Sequence, residues 1–480
     1  MTEYLTIPDA AAALRAGEVT SVELVQAAIN AADSWEPELG AFITRYVDSS
    51  LEAASRADTA LAAGEPVGPL HGIPLGIKDI ITTSEGPTTG QSVAHDTAAM
   101  TGDAVVVARL RAAGGIVTGK TSTMEFACGM PDASKPFPIP RNPWNLDTWP
   151  GGSSSGTGAG VAAGLFLAGL GTDTGGSIRI PSAFCGITGL MPTFGRVPKS
   201  GCIPLGYSLD HIGPMARSAR DCALMLSVLA GHDPSDLCSI DEPVPNYLDA
   251  LTGELSGLRI GYDRLARAAG KLADPALADV FDAALSEFEA LGASVVEIEL
   301  PFYREMGAAD IVILLSEALA YHLPDLQARW DDYGAGTRNT IASAIFYSAA
   351  DYVQAQRARR VGHKALAAAY SDVDVIVTPT VSTGAPSFAT MKTLSERVSG
   401  GEGTRALHTG YWNCTGHPVL SVPVGMSTQG LPLGIQIAGR PFDEATVLRA
   451  GDAYQSRTNW HLAVPPIAAM PTDAISTNAV

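Results

Sequence analysis

Two glycine-rich segments, each containing a serine, are the feature that most restricts how this chain can fold. The first reads G-G-S-S-S-G over residues 151–156, and the second reads G-T-D-T-G-G-S over residues 171–177. Because glycine lacks a Cβ atom, these segments permit close backbone approach and conformations that other residues avoid. Backbone N–H groups can then converge on one point beside Ser153 or Ser177. An oxyanion hole requires such a convergence of donors.

A lysine well upstream of both serines supplies a candidate base. Lys78 ends the apolar run H-G-I-P-L-G-I-K over residues 71–78. A serine hydroxyl is a weak nucleophile at neutral pH and requires a base within hydrogen-bond reach, and a second serine can pass its proton to that base. Burial disfavours the ammonium form of lysine and lowers its pKa. We therefore predict a hydrolytic site that uses Lys78, Ser153 and Ser177 and no histidine.

These segments resemble the signature of the amidase signature family, whose members hydrolyse amides with a serine, a cis-serine and a lysine. The shared motifs are G-I-K-D around Lys78, the two serine segments, and G-G-S-I-R-I-P-S-A-F-C-G over residues 175–186. Further similarity covers most of the chain, and one departure is Met191, where the family commonly has lysine. The resemblance implies an α/β fold with a large mixed central β-sheet covered by α-helices on both faces.

The resemblance also implies a role for each residue of the site. Ser177 would be the nucleophile, Ser153 the bridging serine that follows a cis peptide bond, and Lys78 the base. Three neighbouring residues would support the loop, four backbone N–H groups would hold the oxyanion, and four residues would line the acyl pocket. These are Ser154, Asp173 and Arg179 for support, Thr174, Gly175, Gly176 and Ser177 for the oxyanion, and Ala127, Cys128, Gly129 and Met130 for the pocket.

The residues expected around the substrate favour one branch of this family. We predict a free-standing serine amidohydrolase of broad range for small apolar or aryl amides, with esterase and carbamate (urethane) hydrolysis as further activities. The alternative is the glutamine-hydrolysing A subunit of a tRNA-dependent amidotransferase, which binds the charged ends of glutamine with an arginine and an aspartate. Arg338 fits the arginine, but residues 405–412 contain no acid. The small or apolar residues of the predicted acyl pocket also favour an uncharged substrate.

Two other functions each rest on a single motif. Residues 152–156 match G-x-S-x-G, the nucleophile elbow of α/β-hydrolases, with Ser154 as nucleophile, but that motif requires a strand directly before it. Residues 158–163 match G-x-G-x-x-A, a pattern of nucleotide-binding proteins, and they too lack a preceding strand. A third interpretation is structural, because glycines allow a helix to pack tightly against a sheet.

Alternating helical and strand patterns favour one continuous domain. Thr20 and Glu23 form a capping-box pattern ahead of apolar residues at helical spacing. A helix over residues 103–113 ends at two glycines and leads into a buried strand over 116–119. We therefore predict a single domain over residues 1–480. Its parts are an N-terminal helical region (1–65), the catalytic signature core with the following α/β stretch (66–300), a helical and loop region rimming the substrate cleft (301–410), a return to the core (411–465) and a tail (466–480).

Charge and residue spacing exclude several partners and cofactors. The chain has 31 basic and 50 acidic residues, a formal net charge of −19 and no long basic run, so nucleic acid and anionic membranes are not expected to bind it. The N-terminus lacks a signal-peptide pattern. The six cysteines and nine histidines lack metal-binding spacing, so no metal and no cofactor are expected. We expect a cytoplasmic enzyme with a small-molecule substrate, for which a homodimer is one compatible assembly.

Overall fold

An 11-stranded mixed β-sheet organises the part of the chain that the computed structural model describes, residues 4–391 and 406–469. The predicted cleft rim and tail therefore lie partly outside the described residues. The strands are β1 (Phe42–Arg45), β2 (Pro74–Lys78), β3 (Ile116–Thr121), β4 (Ala168–Asp173), β5 (Thr188–Met191), β6 (His211–Ala216), β7 (Arg259–Tyr262), β8 (Ser294–Glu297), β9 (Val375–Pro379), β10 (Val419–Met426) and β11 (Pro432–Gly439).

Helices flank this sheet, as the α/β prediction requires. The capping box at Thr20 and Glu23 forms at the start of the second helix, and the predicted helix before residue 116 ends at Ala112. The α-helices are α1 (Ile7–Ala16), α2 (Ser21–Leu39), α3 (Val47–Ala62), α4 (Val105–Ala112), α5 (Ser155–Ala162), α6 (Arg179–Cys185), α7 (Ala219–Leu229), α8 (Ala266–Ala269), α9 (Leu277–Ala290), α10 (Tyr303–Arg329), α11 (Ala335–Ala342), α12 (Ala349–Ala369), α13 (Gly410–Thr415) and α14 (Glu444–Arg457).

The sheet consists of two halves that are each contiguous in sequence. The strand order is β1-β3-β2-β4-β6-β5-β10-β11-β9-β7-β8, so the first six strands of the chain form one half and the last five the other. The halves join through the antiparallel pair β5–β10, in which Met191 lies opposite Val419. Met191 is the residue at which the chain departs from the family pattern, and its sulfur accepts a hydrogen bond from Asn413 Nδ2 at 3.2 Å. Residues near this junction therefore connect the two halves.

Helix α5 is buried along its whole length and packs on the first half of the sheet. A Cβ atom at Gly156 would lie 2.2 Å from Ala41 O, and one at Gly160 would lie 2.3 Å from the ring of Phe166. These glycines therefore allow close packing, which is the structural interpretation of the segment. Residues 142–150 before the helix form turns and isolated bridges rather than a strand. The structure thus contradicts both the nucleophile-elbow and the nucleotide-binding interpretations, since each requires that strand.

Helix α10 is the longest helix of the described residues. Together with the following turn, over Tyr303–Asp332, it is long and apolar enough to cross a membrane by length and composition alone. The helix packs against α11, α12 and α13 in the fold. One such helix is weak evidence for a membrane span, because core helices pass the same test.

Candidate active site

The ends of β2 and β4 bring the predicted base and the predicted nucleophile loop to the same edge of the sheet. The two strands are parallel neighbours, with Ile77 opposite Leu170. Lys78 is the last residue of β2, and the loop that contains Ser177 begins after Asp173, the last residue of β4. Since parallel neighbours run in the same direction, their carboxyl ends lie side by side. The topology therefore brings together residues that are far apart in sequence.

Lys78 is fully buried and hydrogen-bonded to two hydroxyl groups. Its Nζ lies 2.7 Å from Ser153 Oγ and 2.7 Å from Thr172 Oγ1. Burial lowers the pKa of Lys78 to about 7, although nearby acidic groups act in the opposite direction. An amine with this pKa is partly neutral at pH 7 and can accept a proton from the hydroxyl that it contacts. Thr172 was not identified from the sequence, and its proximity to Lys78 follows from the pairing of β2 with β4.

Ser153 and Ser177 are brought together through their backbones. The Gly152–Ser153 peptide bond is cis, as the resemblance implies. Ser154 N–H donates to Ser177 O at 3.2 Å, which holds the two glycine-rich segments side by side. Ser153 is only 1% exposed, whereas Ser177 is half-buried. The Ser177 hydroxyl makes no hydrogen bond to a described residue, so it can turn toward Ser153 or toward a bound carbonyl group.

Asp173 and Arg179 hold the loop that carries the predicted nucleophile. The Asp173 carboxylate accepts hydrogen bonds from Gly176 N–H at 2.7 Å and Ile178 N–H at 3.1 Å. The same carboxylate pairs with the guanidinium group of Arg179 through two contacts of 3.0 Å, and both side chains are fully buried. Burial would raise the pKa of Asp173, but Arg179 and the hydrogen bonds outweigh it and hold that pKa well below its usual range. The pair therefore fixes the loop and does not exchange protons.

One of the four predicted oxyanion donors is already engaged. Because Gly176 N–H donates to the aspartate before the loop, Thr174, Gly175 and Ser177 are the remaining candidates. Gly176 has a φ of 127°, and a Cβ atom there would lie 2.1 Å from Thr409 Oγ1. The same Thr409 hydroxyl donates to Gly175 O at 2.6 Å. The loop is thus shaped by the residue directly before α13, which is far from the loop in sequence.

Arg179 connects the loop to further residues that the sequence did not assign to the site. Its Nη1 donates to Thr409 O at 3.1 Å and to Gln436 Oε1 at 3.0 Å, and its Nη2 donates to Asn413 Oδ1 at 2.6 Å. Asn413 Nδ2 donates in turn to Asp173 Oδ1 at 2.7 Å. Gln436 lies in a stretch that is similar to the family sequence, but its contact with Arg179 could not be predicted from the sequence.

Ser154 is a core residue. Its side chain is fully buried, and its Oγ donates to Thr172 O and accepts from Thr172 N–H, each at 3.2 Å. The nucleophile of an elbow motif has to be exposed at the top of the sheet. This placement does not fit a nucleophile, and the supporting role of Ser154 remains a prediction.

A cavity of about 300 Å³ extends to the candidate site. Thr172 and Thr174 line it beside the predicted catalytic residues, and the exposed side chains of Tyr207 and Leu237 line it near the surface. Most of its remaining wall comes from residues 199–212. The cavity offers space for a small molecule next to the nucleophile loop.

Of the four residues predicted to line the acyl pocket, Ala127 alone borders this cavity. Thr337 Oγ1 donates to Cys128 O at 3.2 Å, and a Cβ atom at Gly129 would lie 2.6 Å from Thr337 N. A Cβ atom at Gly336 would lie 3.2 Å from Met130 N. Residues 128–130 therefore pack against α11, and their role in an acyl pocket remains a prediction.

The two titratable groups between this cavity and the loop are already partnered. Asp210 accepts hydrogen bonds from Thr174 Oγ1 at 2.6 Å and from the N–H groups of Leu205 and Gly206, and burial raises its pKa. His211 contacts a backbone carbonyl through Nδ1 at 3.1 Å, and burial lowers its pKa to about 4. Neither group matches the base that a serine nucleophile requires near neutral pH.

Potential metal ligands are not clustered in the described part of the chain. Over residues 4–391 and 406–469, no group of three His, Cys, Asp or Glu side chains is arranged to hold a metal ion. The six cysteines are free thiols. The expectation of a cofactor-free enzyme remains a prediction.

Similarity to known proteins extends over almost the whole chain. A sequence profile described as Amidase matches residues 23–448. The chain is 41% identical over 495 residues to the glutamyl-tRNA(Gln) amidotransferase A subunit of Roseiflexus sp. (strain RS-1), covering 97% of this chain and 99% of that one. It is 39% identical over 477 residues to an amidase of Pseudomonas putida, covering 96% and 98%. The structure of native peptide amidase from Stenotrophomonas maltophilia matches with a TM-score of 0.82 at 30% identity, covering 95% of this chain and 97% of that one.

Proposed function

This chain belongs to the amidase signature family, and we propose that it hydrolyses carboxamides through an acyl-enzyme on Ser177. The observation that carries the proposal is the 2.7 Å hydrogen bond between Lys78 Nζ and Ser153 Oγ in a fully buried setting. A lysine whose pKa burial lowers to about 7 is a suitable base near neutral pH. The half-buried Ser177 beside it is the accessible hydroxyl.

In the proposed cycle, Lys78 and Ser153 act as a proton relay. Ser177 Oγ attacks the amide carbonyl carbon while its proton passes to Ser153, and the Ser153 proton passes to neutral Lys78. Backbone N–H groups of the loop donate hydrogen bonds to the oxyanion of the tetrahedral intermediate. The relay then returns a proton to the amide nitrogen and the C–N bond breaks. The amine departs, and the acyl group remains bound to Ser177 as an ester. Water that loses a proton to the same relay hydrolyses this ester and frees Ser177.

For the substrate, the relatives support the glutamine-hydrolysing alternative better than the broad range favoured by the sequence. An amidotransferase A subunit is 41% identical to this chain over nearly its full length. We therefore give first place to release of ammonia from glutamine. Arg338, which the sequence suggested for the substrate carboxylate, pairs with Asp331 at 3.2 Å, so it would have to exchange that partner on binding.

A free-standing amidase is the second candidate. The Pseudomonas putida amidase is 39% identical over a similar length. The wall of the cavity includes the apolar side chains of Ile80, Ile203 and Ile212, which suit an uncharged acyl group. Under this hypothesis the chain would also hydrolyse esters and carbamates, since both pass through a tetrahedral oxyanion.

Turnover of a small set of amides distinguishes the two candidates. The purified chain would be incubated with L-glutamine, propanamide and 4-nitroacetanilide, and the released ammonia or nitroaniline would be measured. Hydrolysis of glutamine alone supports the A-subunit hypothesis, and hydrolysis of the other two supports a free-standing amidase. Failure to hydrolyse any amide or ester would contradict the proposed function.

Covalent labelling tests the nucleophile independently of the substrate. Intact-mass spectrometry after treatment with a fluorophosphonate is expected to show one adduct, which peptide mapping assigns to Ser177. The adduct should disappear in Ser177→Ala and form much more slowly in Lys78→Ala. An adduct on Ser154, or none in the wild-type chain, would contradict the assignment.

We further propose a cytoplasmic location and a small-molecule amide, ester or carbamate as substrate. A homodimer is the assembly expected of a free-standing enzyme, whereas the A-subunit hypothesis requires other subunits. Light scattering of the purified chain would determine whether it forms dimers by itself.

A further inference from the structure

One buried acid close to the site has an unpaired oxygen in the described part of the chain. Asp310 lies on α10 and is only 3% exposed. Its Oδ1 has no hydrogen-bond partner among residues 4–391 and 406–469. Asp173, by comparison, accepts several hydrogen bonds and an ion pair. Because an unpaired buried carboxyl oxygen is costly and uncommon, a partner supplied from outside the chain is a physical explanation for it.

The Asp310 carboxyl group faces two glycines at the nucleophile loop. A Cβ atom built on Gly410 would lie 2.9 Å from Asp310 Oδ2, and one built on Gly175 would lie 3.7 Å from it. Gly175 is a candidate oxyanion donor. Its carbonyl group accepts a hydrogen bond from the hydroxyl group of Thr409, and Thr409 directly precedes Gly410. Because both positions are glycines, no side chain stands between the Asp310 carboxyl group and the backbone of these two residues. Asp310 therefore lies next to Gly175, one of the candidate oxyanion donors.

The cations closest to Asp310 are engaged elsewhere. Arg179 donates to Asp173 and to residues of the second half of the sheet. Arg359 donates to Cys414 O at 2.6 Å. Burial raises the pKa of Asp310 well above its usual range, with Asp173 adding to the shift and Arg179 and Arg359 opposing it. A cationic ligand would supply both the charge and the N–H donors that the site lacks.

We propose that Asp310 is a specificity residue that binds an ammonium group of the substrate beside the scissile amide. This inference rests on the proposed hydrolysis at Ser177 and adds a substrate class to it, namely amides that carry a protonated amine. The α-ammonium group of glutamine belongs to this class, and so do simple amino amides. An uncharged aryl amide would leave the Asp310 carboxyl group unpaired.

The experiment measures binding in a Ser177→Ala background, so that it does not depend on turnover. Isothermal titration compares L-glutamine with glutaramic acid, which lacks the amine, and 4-aminobutanamide with butanamide. The amine-bearing member of at least one pair is expected to bind more tightly. Adding Asp310→Asn should weaken its binding by about 30-fold or more, because the ammonium then loses its charged partner, and should leave the other member unchanged.

A neighbouring acid provides the matched control. Glu317 lies two turns further along α10, and its carboxylate already accepts hydrogen bonds from Ser208 and Tyr352. Glu317→Gln should therefore leave the preference for the amine-bearing ligand intact. Thermal unfolding of both variants checks that the fold is retained.

Three results would overturn the proposal. They are failure of both amine-bearing ligands to bind, an equal effect of Asp310→Asn on the two members of a pair, and no effect of that change on any ligand that binds. An equal effect would mean that Asp310 supports the loop instead of binding substrate. Hydrolysis of the same four compounds by the wild-type chain is measured separately, so a failure of the proposed amide hydrolysis is recognised without reference to Asp310.

Discussion

At the scale of single residues, two buried lysines have different partners and can therefore have different roles. Lys120 pairs with Asp79 at 3.0 Å, and both side chains are fully buried. Lys78 is equally buried, but its partners among the described residues are the hydroxyl groups of Ser153 and Thr172. Burial lowers the pKa of both lysines, but for Lys120 the Asp79 carboxylate opposes this effect, whereas the direct partners of Lys78 are uncharged hydroxyls. The ion-paired lysine stabilises the fold, and the other is available as a base.

The protonation of Lys78 predicts how activity depends on pH. Burial lowers its pKa to about 7, and only the neutral amine accepts a proton, so activity should rise as pH increases through 7 and then level off. Below the pKa we expect a fall of about tenfold per pH unit in kcat/KM. Burial lowers the pKa of His211 to about 4, so this histidine does not titrate in the same range.

The measurement is kcat/KM for an uncharged amide from pH 5.5 to pH 9, with thermal unfolding recorded at each pH to exclude loss of fold. A flat profile between pH 6 and pH 9 would be incompatible with Lys78 as the base.

A second prediction for a single residue concerns the substitution of Arg179. Arg179→Lys removes the two-point contact with Asp173 and leaves a buried carboxylate poorly paired, so we expect a loss of about 3 kcal/mol in the free energy of unfolding. The loop should also lose its shape, which lowers kcat/KM. The measurements are denaturant unfolding and amide turnover.

Arg220→Lys is the control for this prediction. Arg220 makes a similar two-point contact with Asp452, but its side chain is 45% exposed, so the same change should cost less than about 1 kcal/mol. Equal losses in both variants would contradict the argument from burial.

At the scale of secondary-structure elements, the packing of α5 sets the position of Ser153. Gly156 lies in the first turn of this helix, and a Cβ atom there would approach Ala41 O to 2.2 Å and Ser122 N to 2.5 Å. Backbone atoms cannot move aside as a flexible side chain can. The helix would have to shift, and the serine that precedes it would shift with it.

Gly156→Ala is therefore expected to cost about 3 kcal/mol in unfolding free energy and to reduce activity strongly.

Gly307→Ala is the control with the opposite expected effect, because Gly307 lies in α10 and a Cβ atom there meets nothing within 4 Å. That change should stabilise the protein by about 1 kcal/mol and leave activity unchanged, since alanine has the higher helix propensity. Thermal and denaturant unfolding of both variants decide the question, and destabilisation by the second change would contradict the packing argument.

Sequence patterns predict helices and strands well where a few neighbouring residues determine the structure. The capping box at Thr20 and Glu23 begins a helix in the structure, because the pattern contains the residues that satisfy the first N–H groups. The strand predicted over 116–119 is also present, as part of β3, because a short apolar run directly after two glycines is a local signal. The cavity wall at 199–212 could not be predicted, because a loop without periodic apolar residues gives no indication of what it faces.

At the scale of the whole molecule, the negative charge predicts how the chain behaves toward RNA. With a formal net charge of −19, the chain should not bind tRNA by itself at physiological salt, because the phosphate backbone requires a basic surface. Electrophoretic mobility of labelled tRNA should be unchanged by the purified chain, with polylysine as a positive control. Micromolar binding would contradict this prediction. If the chain acts within an amidotransferase, the other subunits must supply the contacts with tRNA.

The candidate catalytic residues could be named from the sequence because each lies in a short motif, and the family match supports an amide-hydrolysing class of enzyme. The partners of Arg179 could not, because Asn413 and Gln436 lie more than two hundred residues away and only the folded chain brings them into contact with it. Asp310 gave no sequence signal, since an acid in an apolar helix does not indicate which element it faces. Long-range packing decides these contacts.

The division of the sheet into two contiguous halves has a consequence for protein synthesis. Lys78, Ser153 and Ser177 leave the ribosome early, whereas Asn413 and Gln436, which hold the nucleophile loop through Arg179, emerge more than two hundred residues later. A nascent or truncated chain thus carries every group assigned to bond cleavage but lacks the residues that shape the loop around them. We therefore expect the proposed hydrolytic activity to appear only when the polypeptide is almost finished.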